Sequence, residues 1–306
     1  MLLGQQIQKV EISICTWNRA QLLEPALRSV SRLFVPDPIQ LSVIVVDNGS
    51  TDKTSDVLSD FQKDPFFQQH PLRIIRESRQ GHCFARNAAI DAAEGDLLIW
   101  TDDDVEVSSN WIQEYVQSAE QRPEFSFWGG PILPEFTAGK PVWIREQWSK
   151  IKGCFAARDL GPEPVEFHSK RLPYGANFAV RTDIQKQFRF DEELGRKGSH
   201  VLGEDEIDLL ARLLADGLKG RWVPEAKLKH IIPPERATEK YVYDYFVGQG
   251  QRLARLNPIG NPRQLAKEAR WNYYCYLVKR PFLKSDVWIG HMLHSALCKG
   301  KSESVE

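Results

Sequence analysis

The segment Leu41-Ser42-Val43-Ile44-Val45-Val46 constrains this chain most. Four of its six residues are β-branched. It has the length of a strand and a near-continuous apolar character, which is how a strand reads when a parallel sheet buries both of its faces. A parallel sheet needs crossover helices, so the flanking sequence must alternate. It does. Val10–Cys15 is a short apolar strand, and Ala20–Leu33 carries apolar residues at 22, 23, 26, 27, 30 and 33, a helical spacing. Pro25 is expected in the first turns of that helix or at a kink. Asp47-Asn48-Gly49-Ser50 stops the second strand with turn chemistry. A helix over 54–61, a strand over Leu72–Ile75, an alanine-rich helix over Arg86–Ala93 and a strand over Asp96–Thr101 follow. This order predicts an α/β fold with a doubly wound, Rossmann-like sheet.

From 125 to 230 the pattern loosens. Phe125–Trp128 and Phe178–Val180 read as strands, and Asp205–Asp216 as a helix ended by Gly217. The Pro-, Trp- and Gly-rich stretch 129–175 is long and irregular, which is uncommon outside functional segments. From 241 the chain reads as mostly helical. The expected organisation is a domain over 1–255, divided into halves at 1–105 and 106–255, with a helical C-terminal extension over 256–306.

With 306 residues the chain is long enough for one large core and an appendage. Its formal net charge is −1, so no overall basic field points to nucleic acid. Cys15, Cys83, Cys154, Cys275 and Cys298 are odd in number and include no C-x-x-C pair, which fits a reducing compartment better than a disulfide framework. No apolar run approaches the about 20 residues of a membrane span, and 1–9 is mostly polar. The expectation is a cytoplasmic protein.

Ligands of open α/β sheets bind beyond the carboxyl ends of the strands. Polar clusters follow three of the four strands there: Thr16-Trp17-Asn18, Asp47-Asn48 and Asp102-Asp103-Asp104. Three crowded carboxylates are costly without a cation. The triplet is therefore either a solvated strand end with a helix cap, or a site for a hard divalent cation that also grips a diphosphate. Asp47 is either a turn residue or an acceptor for a nucleobase N–H or a ribose hydroxyl. Gly81 through Asn87 open the alanine-rich helix, with Arg86 in the first turn, where anions are favoured. Glu204 and Asp205 precede an amphipathic helix; they either favour its N-terminus or supply a general base. His230 is either a structural histidine or a metal ligand. P-loop, dinucleotide-binding, nucleophile-elbow and H-E-x-x-H patterns are absent.

Taken in order, Ile12 through Arg19, Val45 through Asp52, Gly81 through Asn87, Thr101 through Asp104, Tyr174 through Asn177, Gly203-Glu204-Asp205 and His230 resemble the family 2 glycosyltransferases of the GT-A fold. The resemblance runs from about 10 to about 255. It implies inverting, hexosyltransferase-type transfer from a nucleoside diphosphate sugar, a UDP-sugar foremost, to a sugar or lipid-linked acceptor, with Mg²⁺ or Mn²⁺ as cofactor. It implies synthesis of a polysaccharide, glycolipid or other glycoconjugate. Thr16, Trp17, Asn18, Asp47, Arg86, Asp102, Gly175, Ala176 and Asn177 match positions around the nucleotide sugar. Asp103 matches the principal metal ligand, with Asp104 and His230 as auxiliaries. Asp205, paired with Glu204, matches the catalytic base.

Two other readings compete: a catalytically inactive nucleotide-sugar- or carbohydrate-binding protein of the same fold, and a retaining transferase. The tail 263–301 holds eight Lys/Arg against Glu268 and Asp286, interleaved with Trp271, Tyr273, Tyr274, Tyr276, Phe282 and Trp288. It reads either as a helical appendage packed on the core or another subunit, or as a peripheral contact with the inner face of a membrane.

Overall fold

A computed structural model describes residues 6–194, 205–256 and 261–304. Glu204 lies outside the described residues, as does Gly203. The elements in chain order are β1 (Lys9–Thr16), α1 (Ala20–Val30), β2 (Gln40–Asp47), α2 (Thr54–Phe61), α3 (Pro65–Gln69), β3 (Leu72–Arg76), α4 (His82–Ala92), β4 (Leu97–Thr101), β5 (Val105–Val107), α5 (Trp111–Gln121), β6 (Phe127–Gly129) and β7 (Ile132–Phe136). There follow α6 (Val142–Glu146), α7 (Trp148–Ile151), β8 (Asn177–Arg181), α8 (Thr182–Gln187), α9 (Asp205–Ala215), β9 (Gly220–Trp222), β10 (Leu228–Ile232), α10 (Glu239–Leu256), α11 (Pro262–Lys279) and α12 (Ser285–Glu303).

Two compact units result. The first takes in 6–134, 156–194 and 205–231; the second takes in 135–155 and 232 onward. The sequence reading placed its division at 255. The chain divides earlier because α10 shares an apolar core with α12, through Val242, Ile289 and Met292.

The first unit holds a seven-stranded sheet in the order β3-β2-β1-β4-β8-β6-β9. Strands β3, β2, β1 and β4 are parallel; β8 runs antiparallel to both β4 and β6. The period of two along each strand divides the core cleanly. Val43, Val45, Leu97 and Ile99 face one side with α1 and α5; Ile44, Val46, Leu98 and Trp100 face the other with α4 and α9. That is why β2 reads as a continuous apolar run.

A charge is buried mid-sheet, away from the strand ends. Glu11 of β1 accepts hydrogen bonds from Ser42 Oγ, Arg73 Nη1 and the backbone N–H groups of Glu94 and Gly95. Four donors offset its desolvation and lock β1, β2, β3 and the α4–β4 turn in one register.

Pro25 lies inside α1, one turn later than its best-tolerated position. The carbonyl it leaves unpaired belongs to exposed Gln21 and faces solvent. Gly217, at φ +81°, ends the α9 segment as the sequence predicts. The order reverses between β1 and β4, the two strands whose carboxyl ends carry Thr16 and Asp102. A reversal of this kind opens the crevice that binds ligands in such sheets.

Candidate active site

Three loops meet over the carboxyl ends of β1, β2 and β4. The β1 and β2 loops are laced together by Asn18, which adopts a left-handed backbone at φ 53°. Its Oδ1 accepts from the N–H groups of Thr51 at 2.7 Å and Asp52 at 3.3 Å, and its own N–H donates to Ser50 Oγ at 2.9 Å. Asp52 in turn accepts from the N–H of Ala20, at the start of α1. Asp47 is buried at the end of β2, with Oδ1 accepting from Ser50 N–H at 2.9 Å. Trp17, between these loops in sequence, is 42% exposed. A large apolar ring left open beside a buried carboxylate suits stacking on a flat polar group.

The β4 end holds the aspartates. Thr16 Oγ1 donates to Asp103 Oδ2 at 2.7 Å. Arg19 bridges the pair, with Nη1 at 2.5 Å from Asp103 Oδ1 and Nη2 at 2.5 Å from Asp104 Oδ2. Strand β10 pairs antiparallel with β5, setting His230 opposite Val105, and the N–H of Ile231 donates to the carbonyl of Asp104. This pairing brings His230 Nε2 to 3.5 Å from Asp104 Oδ2. Burial, with Asp104 and Asp102 adding to it, pushes the Asp103 carboxyl up to about 7 against the opposing pull of Arg19 and Thr16.

A second cluster surrounds Asp205, the first described residue of α9. Its Oδ2 accepts from Arg86 Nη1 at 2.8 Å and lies 3.4 Å from His82 Nδ1. Burial alone would raise this carboxyl; Arg86 and His82 overcome it and hold it well below the usual carboxylate range. Burial, with Arg86 adding to it, pushes His82 below its ordinary value against the opposing pull of Asp205 and Asp102. Arg86 is itself buried, packed 4.9 Å from the ring of Phe190 and 3.8 Å from Glu206 Oε2. The Oδ1 atom of Asp205 is buried and has no hydrogen-bond partner among the described residues. Gly175 belongs here for a steric reason: a Cβ would stand 2.8 Å from Arg86 Nη2.

Asp102 belongs to both clusters electrostatically. Its charge acts on Arg19 and Asp103 on one side and on His82 and Arg86 on the other. Ala176 accepts at its carbonyl from Thr101 Oγ1 at 2.9 Å, which fixes the Gly175-Ala176 turn to the end of β4.

Asn177 lies in the segment that the resemblance sets beside the donor sugar, and its side chain is turned into the protein. It is fully buried, and its amide is committed to protein. Oδ1 accepts from Trp111 Nε1 and Tyr115 Oη; Nδ2 donates to the carbonyls of Pro131 and Ala226. It braces β8 and α5 behind the site. Sequence reasoning missed Arg19, His82 and Glu206. Arg19 and His82 stand inside motifs already singled out, so a cation beside a carboxylate triplet was a signal available to read.

The fit of a divalent cation can be judged from what the carboxylates now hold. Asp103 and Asp104 already gather a cation, the Arg19 guanidinium, and His230 adds a nitrogen ligand alongside. Oxygen donors with one imidazole suit Mg²⁺ or Mn²⁺.

Residues 11–162 match glycosyl transferase family 2. Among curated relatives, a succinoglycan biosynthesis protein of Rhizobium meliloti is 25% identical over 250 residues, covering 81% of this chain and 74% of that protein. A glucosyl-dolichyl phosphate glucuronosyltransferase of Haloferax volcanii is 24% identical over 67% of this chain. The match spans 63% of that relative, under two thirds of its length. A Pyrobaculum calidifontis mannosyltransferase, solved with GDP-Man and Mn²⁺, superposes with a TM-score of 0.57 at 17% identity, covering 82% of this chain and 65% of that one. The S. aureus TarS 1–349 structure with UDP-GlcNAc gives 0.56 at 15% identity, covering 97% and 90%. The fold is GT-A, a mixed sheet followed by a helical C-terminal region.

Proposed function

We propose that this chain is an inverting family 2 glycosyltransferase. It moves a hexose-type sugar from a nucleoside diphosphate sugar, UDP-linked foremost, to an acceptor hydroxyl in polysaccharide, glycolipid or other glycoconjugate synthesis. The observation that carries the reading is Asp205: a buried carboxylate held in its ionised form, with one oxygen tied to Arg86 and the other without a hydrogen-bond partner among the described residues. An inactive binding protein has no use for such a group, which is expensive to bury.

Trp17 stacks on the base, while Asp47 accepts from its N–H. Asp102 faces the ribose and Arg86 the diphosphate; the Gly175-Ala176 turn borders the sugar. Mg²⁺ or Mn²⁺, held by Asp103 with Asp104 and His230, would neutralise diphosphate charge when bound. Asp205 Oδ1 takes the acceptor's hydroxyl proton as that oxygen bonds to the anomeric carbon. The bond from that carbon to the diphosphate breaks, its electron pair leaves with the diphosphate, and the anomeric centre inverts. Asp205 is a weak base by its depressed pKa, but the hydroxyl becomes acidic as the new bond forms, and the transfer is needed only then.

The acceptor is a sugar or a lipid-linked glycan. The chain acts from the cytoplasm, with 263–301 as its contact to the inner membrane face. None of the described helices is long and apolar enough to cross a membrane.

The test is Asp205→Asn. Transfer should fall roughly 10²–10⁴-fold, while donor affinity measured by calorimetry with Mn²⁺ stays within a few-fold. Near-normal transfer removes Asp205 as the base. Inversion is checked by the anomeric configuration of the product in NMR.

A further inference from the structure

The hairpin of α11 and α12 holds a second group of ligating side chains, distinct in chemistry from the aspartates of the first unit. His294 and Cys298 are spaced i, i+4 on α12, so they share one face a turn apart. Glu268 projects from α11 toward them. Cys298 Sγ lies 3.4 Å from His294 Nε2 and 3.8 Å from Glu268 Oε2, and His294 Nε2 lies 3.7 Å from Glu268 Oε2. The three ligand atoms thus form a near-equilateral triangle.

Zn²⁺ bonds sulfur at about 2.3 Å and imidazole nitrogen or carboxylate oxygen at about 2.0–2.2 Å, which gives tetrahedral edges of roughly 3.3–3.6 Å. The triangle matches one face of that tetrahedron to within a few tenths of an ångström. Among the described residues this is the one group of three His, Cys, Asp or Glu side chains so gathered. A surface ion pair between His294 and Glu268, 53% and 42% exposed, is worth little, and the buried Cys298 thiol, which donates to Glu268 Oε2, would release that proton on binding an ion. Glu268 is also held from its far side: Oε1 accepts from Gln264 Nε2 at 3.1 Å, leaving Oε2 for the shared point. The exposure of His294 and Glu268 leaves a fourth position open to water.

We propose that Glu268, His294 and Cys298 form a zinc site that clips α11 to α12. Thiolate and imidazole select a softer ion than the oxygen-rich aspartate cluster does. An ion bound there would tie the two helices at mid-length, where Ser295 Oγ already donates to the Ala269 carbonyl. This inference does not rest on the transfer reading, and its test needs no donor sugar.

The experiment is titration of the full chain with Co²⁺, followed by the thiolate-to-cobalt charge-transfer absorption, and then competition by Zn²⁺. One ion per chain should give the band, and Zn²⁺ should abolish it and raise Tm. Asp103→Ala, which disables the other cluster, should leave the band intact. Cys298→Ser should remove it, and His294→Ala should weaken binding by more than the roughly 10–100-fold that an orienting partner is worth. Glu268→Gln keeps shape and hydrogen bonding while lowering affinity, and so answers the question even if the other variants fold poorly. A wild-type chain without the band, or a band that survives Cys298→Ser, overturns the proposal.

Discussion

Arg19 holds the place that a divalent cation would contest. Its guanidinium bridges Asp103 and Asp104, two carboxylates that are almost wholly buried. Removing it takes away their strongest counter-charge and leaves Thr16 and His230 as the partners named above, so Arg19→Met should cost on the order of 2 kcal/mol in the absence of metal. That is below the roughly 3–5 kcal/mol of a fully buried pair, because Arg19 keeps 28% side-chain exposure. The same change frees the carboxylates for metal, so Mn²⁺ should raise Tm more in the variant than in the wild type. A Tm gain no larger than the wild type's shows that Arg19 does not compete with the ion. Arg86 acts in the opposite sense on Asp205. It favours the ionised form, and without it burial, which raises the carboxyl, is opposed only by the weaker pull of His82 and a backbone hydrogen bond. In Arg86→Met, at saturating donor and Mn²⁺, the acidic limb of the kcat profile should therefore move up by at least about one pH unit. A limb that stays in place separates Arg86 from the ionisation of the base. The two cations also show where the sequence falls silent. Arg19 finds its partner 84 residues away and Arg86 finds Asp205 at 119. The carboxylates were legible as strand-end and helix-start residues, but only the fold brings their counter-ions to them.

Elements written by one dominant pattern were legible. The limits of α2 agree with those expected, and β2 and β4 are where their apolar runs place them, because burial on both faces leaves a mark in a single segment. Three-residue strands such as β5, β6 and β9 leave almost none, and β6 was seen only approximately. Helix α5 is different: Trp111, Ile112, Tyr115, Val116 and Ala119 carry a helical spacing that was there to be read. Without α5, the sequence gives no sign of what the Asn177 side chain holds together. Its motif position suggests the sugar, yet its side chain answers Trp111 and Tyr115 from that helix and two carbonyls from loops. Asn177→Ala would take a partner from Trp111 Nε1, the Tyr115 hydroxyl and the Ala226 carbonyl, while the Pro131 carbonyl keeps the Leu228 N–H. At about 1–3 kcal/mol each, and less than additive, the loss should exceed about 3 kcal/mol in chemical denaturation. Donor affinity of the fraction that remains folded should change little. A variant of normal stability that has lost the donor would restore Asn177 to the ligand.

At the scale of the whole molecule, the C-terminal unit presents an apolar face that its own core does not use. That core is built from residues such as Val242, Trp288, Ile289 and Met292. Trp271, Tyr274, Leu277 and Val278 point away from it along α11, and Phe282 and Leu283 extend the face into the turn before α12. Phe282 is 83% exposed. Arg270, Lys279, Arg280 and Lys284 flank these residues, with Glu268 the single acid over 263–284. Aromatic and aliphatic tips between basic residues suit an anionic lipid surface: the rings lie at headgroup depth, and each cation near the surface adds about 1 kcal/mol. The full chain should therefore co-sediment with vesicles of mixed phosphatidylcholine and phosphatidylglycerol. It should bind pure phosphatidylcholine weakly, and rising salt should release it from the anionic vesicles. Phe282→Ser with Leu283→Ser removes two apolar tips worth up to about 1.5–3 kcal/mol each when fully buried, so partitioning should drop at least tenfold, while transfer to a soluble acceptor is unchanged. If the double variant binds vesicles as the wild type does, or if the wild type instead forms dimers that the double variant loses, the face belongs to another partner. The sequence alone favoured a packing surface over a membrane contact for this tail without excluding either, because spacing does not say which aromatics turn inward. The fold divides them: Tyr276 and Trp288 go to the core, and Trp271, Tyr274 and Phe282 remain exposed.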